Sequence, residues 1–75
     1  MTPKDKKIIK DAVKQNIPIF VISAKDFFST ATLADYLKNC VTGGASTEHI
    51  KGVAARMLEF RDWQDSNANK FKMPD

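Results

Sequence analysis

Apolar positions recur along this chain in three helical stripes, broken once by an unbroken apolar run. Thr2-Pro3 reads as a helix start, with Thr2 as N-cap and Pro3 at the first helical position, where its missing N–H costs nothing. Asp5, three residues after Thr2, makes a weak form of capping box and suits the positive end of the helix dipole. Ile8, Ile9, Ala12 and Val13 then share one face, while Lys7, Lys10, Asp11 and Lys14 take the other. Asn16 can adopt the left-handed conformation and Pro18 forbids continuation, so a first helix is predicted at about 3–15.

The second stripe is Leu33, Ala34, Leu37, Cys40 and Val41, with Tyr36 beside it. It predicts a helix best supported over 30–41, with Asp26 or Ser29 as N-cap and Gly43-Gly44 as its end. Ser46 or Thr47 should cap a third helix carrying Ile50, Val53, Ala54, Met57 and Phe60 on one arc, flanked by Leu58 and Trp63. Asp65-Ser66-Asn67-Ala68-Asn69 reads as its stop signal, and Phe71 and Met73 suggest that the tail docks.

Between the first two helices lies Ile17-Pro18-Ile19-Phe20-Val21-Ile22-Ser23, β-branched and aromatic, with neither face polar. Such composition fits a strand buried on both sides, and a lone strand leaves its N–H and C=O groups without partners. Three arrangements answer that: pairing with residues 70–73 of the tail, pairing across the two-fold axis of a homodimer, or an extended segment lying across the helices. The fold class expected is therefore mainly α: one small three-helix domain over residues 1–75 with one extended or strand-like segment at 17–23.

Charge changes this picture only locally. The net charge is +3, but Lys4, Lys6, Lys7, Lys10 and Lys14 face only Asp5 and Asp11 in the first sixteen residues, and the remainder is balanced. That basic stretch either solvates a helix face or meets phosphates or an acidic protein. A single cysteine, Cys40, allows no intramolecular disulfide, and the chain opens on no signal-peptide apolar region. No apolar run approaches the roughly 18–20 residues that span a bilayer. A cytoplasmic protein without membrane association is the expectation.

Candidate chemistry is sparse. One His and one Cys, nine residues apart on different elements, are too few for a zinc site, and no cofactor is expected. Cys40 shares the apolar stripe of its helix, where a thiol behaves as a small hydrophobe rather than a nucleophile for His49 to activate. Gly43-Gly44 is followed by no Lys-Ser or Lys-Thr and is no phosphate loop. Enzymatic activity is not expected.

Two binding classes remain. Leu33-Ala34-Asp35-Tyr36-Leu37, with Gly44, Ser46 and Ile50, has the outline of a helix-turn-helix, which would turn Thr47, Glu48, Lys51 and Arg56 to a major groove. Nucleic-acid contacts would then come from Lys4, Lys6, Lys7, Lys10, Lys14, Lys51 and Arg56. Against it stand a connector read as residues 41–45, longer than the usual turn, and the acidic Glu48, Glu59 and Asp62. The other class is protein binding. Seven aromatic residues in 75 are hard for three short helices to cover, which nominates Phe27, Phe28 and Trp63 as an exposed patch for a protein partner or a second copy.

The run from Pro18 through Ala24-Lys25-Asp26, the following apolar helix with Tyr36, the segment Phe60-Arg61-Asp62-Trp63-Gln64 and the ending Lys70-Phe71-Lys72-Met73-Pro74-Asp75 also carry a resemblance. Over residues 17–75 they are similar to short uncharacterised proteins of bacteriophages, prophages and other mobile elements. Those proteins share an apolar run ending in Ala-Lys-Asp or Ala-Gln-Asp, a tryptophan after the last helix and a closing Pro-Asp. The resemblance implies no activity and no functional residues. It does imply an accessory protein that modulates a host enzyme or defence system by binding. The expected function is accordingly non-enzymatic protein interaction, with small DNA-binding protein as the alternative.

Overall fold

A computed structural model describes residues 1–70, and it is mainly helical: α1 (Pro3–Gln15), α2 (Ser29–Thr42) and α3 (Thr47–Ser66). Among the described residues there is no β-strand. Pairing of the 17–23 run with residues 71–73 falls outside the described residues. Residues 17–23 themselves are not buried on both sides as a central strand would be. Ile17, Ile19, Phe20 and Val21 are exposed and only Ile22 is half-buried.

Helix α1 begins with the capping box complete. The Thr2 hydroxyl accepts from the Asp5 N–H at 3.1 Å, and the Thr2 N–H donates back to Asp5 Oδ2 at 3.4 Å. At its end Asn16 is left-handed (φ 55°, ψ 34°), and the Ile17 N–H reaches back to the Ala12 carbonyl at 2.9 Å. This closes a Schellman turn and satisfies carbonyls that the last helical turn would otherwise leave open.

Helix α2 starts differently from either expected cap. Its N-cap is Phe28, which offers no side-chain acceptor. Asp26 acts one step earlier: its Oδ1 accepts the Phe28 N–H at 2.7 Å, and its carbonyl accepts both the Ser29 N–H (3.1 Å) and the Ser29 hydroxyl (2.8 Å). A short polar turn thus feeds the helix, and Ser29 becomes a helical residue rather than a cap. Gly44 ends the passage with φ 79°, and the Ala45 N–H donates to the Cys40 carbonyl at 2.9 Å, a second Schellman closure.

Ser46 caps α3 by accepting the His49 N–H at 3.1 Å. The helix ends inside the expected stop signal, with Asp65 and Ser66 as its last helical residues. Asn67 terminates it, its side-chain Nδ2 donating to the Trp63 carbonyl at 2.9 Å and its N–H to the Gln64 carbonyl at 3.2 Å. Turn-forming composition sets where this helix ends only once a side chain reaches a free carbonyl.

Helices α2 and α3 pack on one another, whereas α1 brings no Cα within 8 Å of either. The stripe predicted for α3 faces inward but only partly: Ile50, Val53, Ala54, Met57 and Phe60 are all half-buried. The radius of gyration is 13.6 Å, against about 11 Å for a compact chain of this length. Only four described residues are buried, Ala12, Cys40, Ser29 and Gln64, and of these Ser29 alone is fully so. Two of the four are polar.

Candidate interaction surface

Gln64 organises the junction between the ends of α3 and α2. It continues the apolar stripe of α3, four residues after Phe60, and is itself only 8% exposed. Its Nε2 donates to the Ala24 carbonyl (3.1 Å) and to the Ser29 hydroxyl oxygen (2.9 Å), and its Oε1 accepts the Thr30 hydroxyl at 2.7 Å. Ser29 is fully buried and donates its own hydroxyl hydrogen bond to the Asp26 carbonyl. Every buried side-chain polar atom among the described residues has a partner. The network pins the turn at residues 24–30 to α3.

On this pinned turn stand Phe27 and Phe28, both about half exposed, their rings edge to face with centroids 5.6 Å apart. They are two of the three residues nominated for protein contact. Trp63, the third, is half-buried and lies one residue before Gln64. Just upstream, the 17–23 run adds a larger apolar area, led by Phe20 at 85% exposed and Val21 at 69%. The composition of that run fits burial on both faces, whereas the structure leaves it without strand pairing among the described residues and largely exposed.

A second feature is an open cleft of about 330 Å³ between the first half of α1 and the α2–α3 pair. Arg56 crosses it, its Nη2 2.7 Å from Asp5 Oδ2 and its Nη1 2.8 Å from Glu59 Oε2. The Thr2 hydroxyl, the Thr2 N–H and the Arg56 charge hold the Asp5 carboxyl below its ordinary 3.8, outweighing the partial burial that would raise it. Deeper in the wall, Tyr36 Oη lies 3.1 Å from His49 Nε2 with the rings edge to face. The neighbouring Cys40 and partial burial push the Tyr36 phenol further above its ordinary 10.0. Cys40 is buried, in keeping with its place on the apolar stripe. The described residues contain no group of three His, Cys, Asp or Glu side chains arranged to hold a metal ion.

The basic residues do not converge. Lys4, Lys6, Lys7, Lys10 and Lys14 are exposed along α1, Lys51 is exposed on α3, and the Arg56 guanidinium is taken up by Asp5 and Glu59. The Gln64–Ser29–Thr30 network and the Arg56–Asp5 pair were not foreseen. Gln64 carried a faint signal as the polar residue that continues an apolar stripe. The Arg56–Asp5 pair, 51 residues apart, carried none.

No described helix is long and apolar enough to cross a membrane. No protein-family model, curated protein or solved structure matches this chain. The geometry defines a small three-helix domain with an apolar surface left open beside a hydrogen-bonded turn.

Proposed function

We propose that this protein is a non-enzymatic binding protein that acts by applying the apolar surface at residues 17–28 to another protein. One observation carries the reading: Ile17, Ile19, Phe20 and Val21 stand exposed in sequence, with Phe20 at 85%. Single exposed apolar residues are commonplace, but a contiguous uncharged group next to two half-exposed phenylalanines is the composition of an interface centre. The resemblance to short phage and mobile-element proteins supports the same role, that of an accessory factor modulating a host protein. The test is capture from nuclease-treated host lysate by tagged wild type and by Phe20→Asp. A protein retained by wild type and lost with Phe20→Asp supports the reading. Identical captures, or none beyond background, refute it.

DNA binding is a second reading, and one observation favours it. The connector between α2 and α3 is residues 43–46, four residues, within the range of a helix-turn-helix turn. The charge of α3 opposes it, since Glu48, Glu59, Asp62 and Asp65 outnumber Lys51, Arg56 and Arg61, and Arg56 is engaged in ion pairs. Binding to duplex DNA that falls steeply with salt and is lost on Lys→Glu changes in α1 would reverse the order of the two readings.

A further inference from the structure

We infer that the partner of the exposed 17–21 surface is a second copy of this chain, the two meeting about a two-fold axis; this rests on the protein-binding reading above and names its first partner. The area argues for it. The chain exposes 6047 Å², whereas a folded monomer of 8.4 kDa is expected to expose about 4,600 Å². The excess belongs to the loosely packed chain as a whole, and an ordinary stable interface, roughly 800 Å² per partner, would remove part of it. A chain this short, with four buried residues among those described, is of the size that oligomerisation stabilises.

Charge selects a copy of the same surface. An isologous interface sets a patch against itself, so any charge near the axis would meet its like. Residues 15–24 carry no charge at all, while the lysine face of α1 could not self-associate. The backbone agrees. Among the described residues, the N–H groups of Ile19, Phe20 and Val21 have no hydrogen-bond acceptor in the chain. The same run in a second copy offers both donors and acceptors, as when an added strand pairs with an open edge. Phe20 and Val21 then become the buried anchors, with Ile17 and Ile19 around them.

Sedimentation equilibrium of the full chain tests this. Wild type is expected at twice 8.4 kDa at high micromolar concentration, dissociating on dilution. Phe20→Asp and Val21→Asp should each weaken dimerisation roughly thirtyfold or more, the scale of a lost interface anchor, with unchanged helical circular dichroism. A wild-type mass of 8.4 kDa throughout, or a dimer equally strong in both variants, overturns the inference. Flotation of monomeric wild type with phosphatidylglycerol vesicles, lost in Phe20→Asp, would also overturn it and assign the patch to a lipid surface. The lysate capture fails separately: a monomer that still captures a host protein through Phe20 leaves the binding reading intact and removes only the dimer.

Discussion

Replacing Gln64 with alanine should come close to unfolding the protein, although Gln64 is neither apolar nor near a charge. The substitution removes three hydrogen bonds, to the Ala24 carbonyl, the Ser29 oxygen and the Thr30 hydroxyl. Each such bond contributes about 1 kcal/mol net, so the loss is about 3 kcal/mol before the emptied space is counted. Thr30 is partly exposed and can turn to water, but Ser29 is fully buried and cannot. A chain of this length has on the order of 4–11 kcal/mol of stability in all. Urea denaturation followed by circular dichroism at the helical band reads the change directly. The isosteric Gln64→Glu sharpens the test. An ionised carboxylate there faces the Ala24 carbonyl and has no proton to give, whereas the protonated acid can restore one donation. Its folded pKa should therefore lie above the unfolded value. That stability is present below the unfolded pKa and lost as pH rises through the folded one, so the variant should be more stable in mild acid than at neutral pH. Gln64→Ala within about 0.5 kcal/mol of wild type would show that the network contributes nothing and that the turn at 24–30 is held otherwise.

Five further outcomes are expected. Asp5 has a folded pKa below its ordinary 3.8, so its contribution is present above that value and lost as pH falls through the lowered one. Urea midpoints of wild type should thus fall relative to Asp5→Asn as pH drops towards about 2. Thr2→Ala removes the other half of the capping box and should cost about 1 kcal/mol, read in the same denaturation assay. Gly52 sits inside α3 with open space where a Cβ would go, so Gly52→Ala should stabilise by about 0.5–1 kcal/mol, while Gly44→Ala, at φ 79°, should cost about 1–2 kcal/mol. The Cys40 thiol should resist a water-soluble disulfide reagent in the folded protein and react promptly in urea.

The helices were legible because their signals are local. Thr2, Asp5, Asn16, Gly44 and Ser46 each act within five residues, and each does in the structure what its side chain or backbone freedom allows. What could not be read is what depends on meeting a distant segment. The run at 17–23 has the composition of a buried strand, yet burial is a property of what lies over it, and Ile17, Ile19, Phe20 and Val21 are left exposed. The start of α2 was uncertain for a related reason. Asp26 and Ser29 each resemble an N-cap, but Ser29 is drawn into the helix because Gln64, 35 residues away, engages its hydroxyl.

At the junction of residues 17–30 with the end of α3, burial runs opposite to hydropathy, and that local inversion is informative about function. Ser29 and Gln64 are sealed in with every hydrogen bond made, while Phe20 and Val21 stand in solvent. A buried amide is costly unless fully satisfied, so its presence fixes one arrangement of the turn at 24–30 against α3. Exposed phenylalanine and valine have no such compensation in the isolated chain, since apolar area in water is unfavourable wherever it lies. A polar network that holds a turn rigid and an apolar surface beside it make sense together when that surface must keep its shape before its partner arrives. Ordering cost is then met in folding rather than at binding, and association draws on the apolar area alone. On this argument loosening the turn should weaken binding even with Phe20 intact. Thr30→Val removes a single partly exposed bond to Gln64 and leaves the fold standing, so its effect on self-association isolates the contribution of rigidity from that of contact.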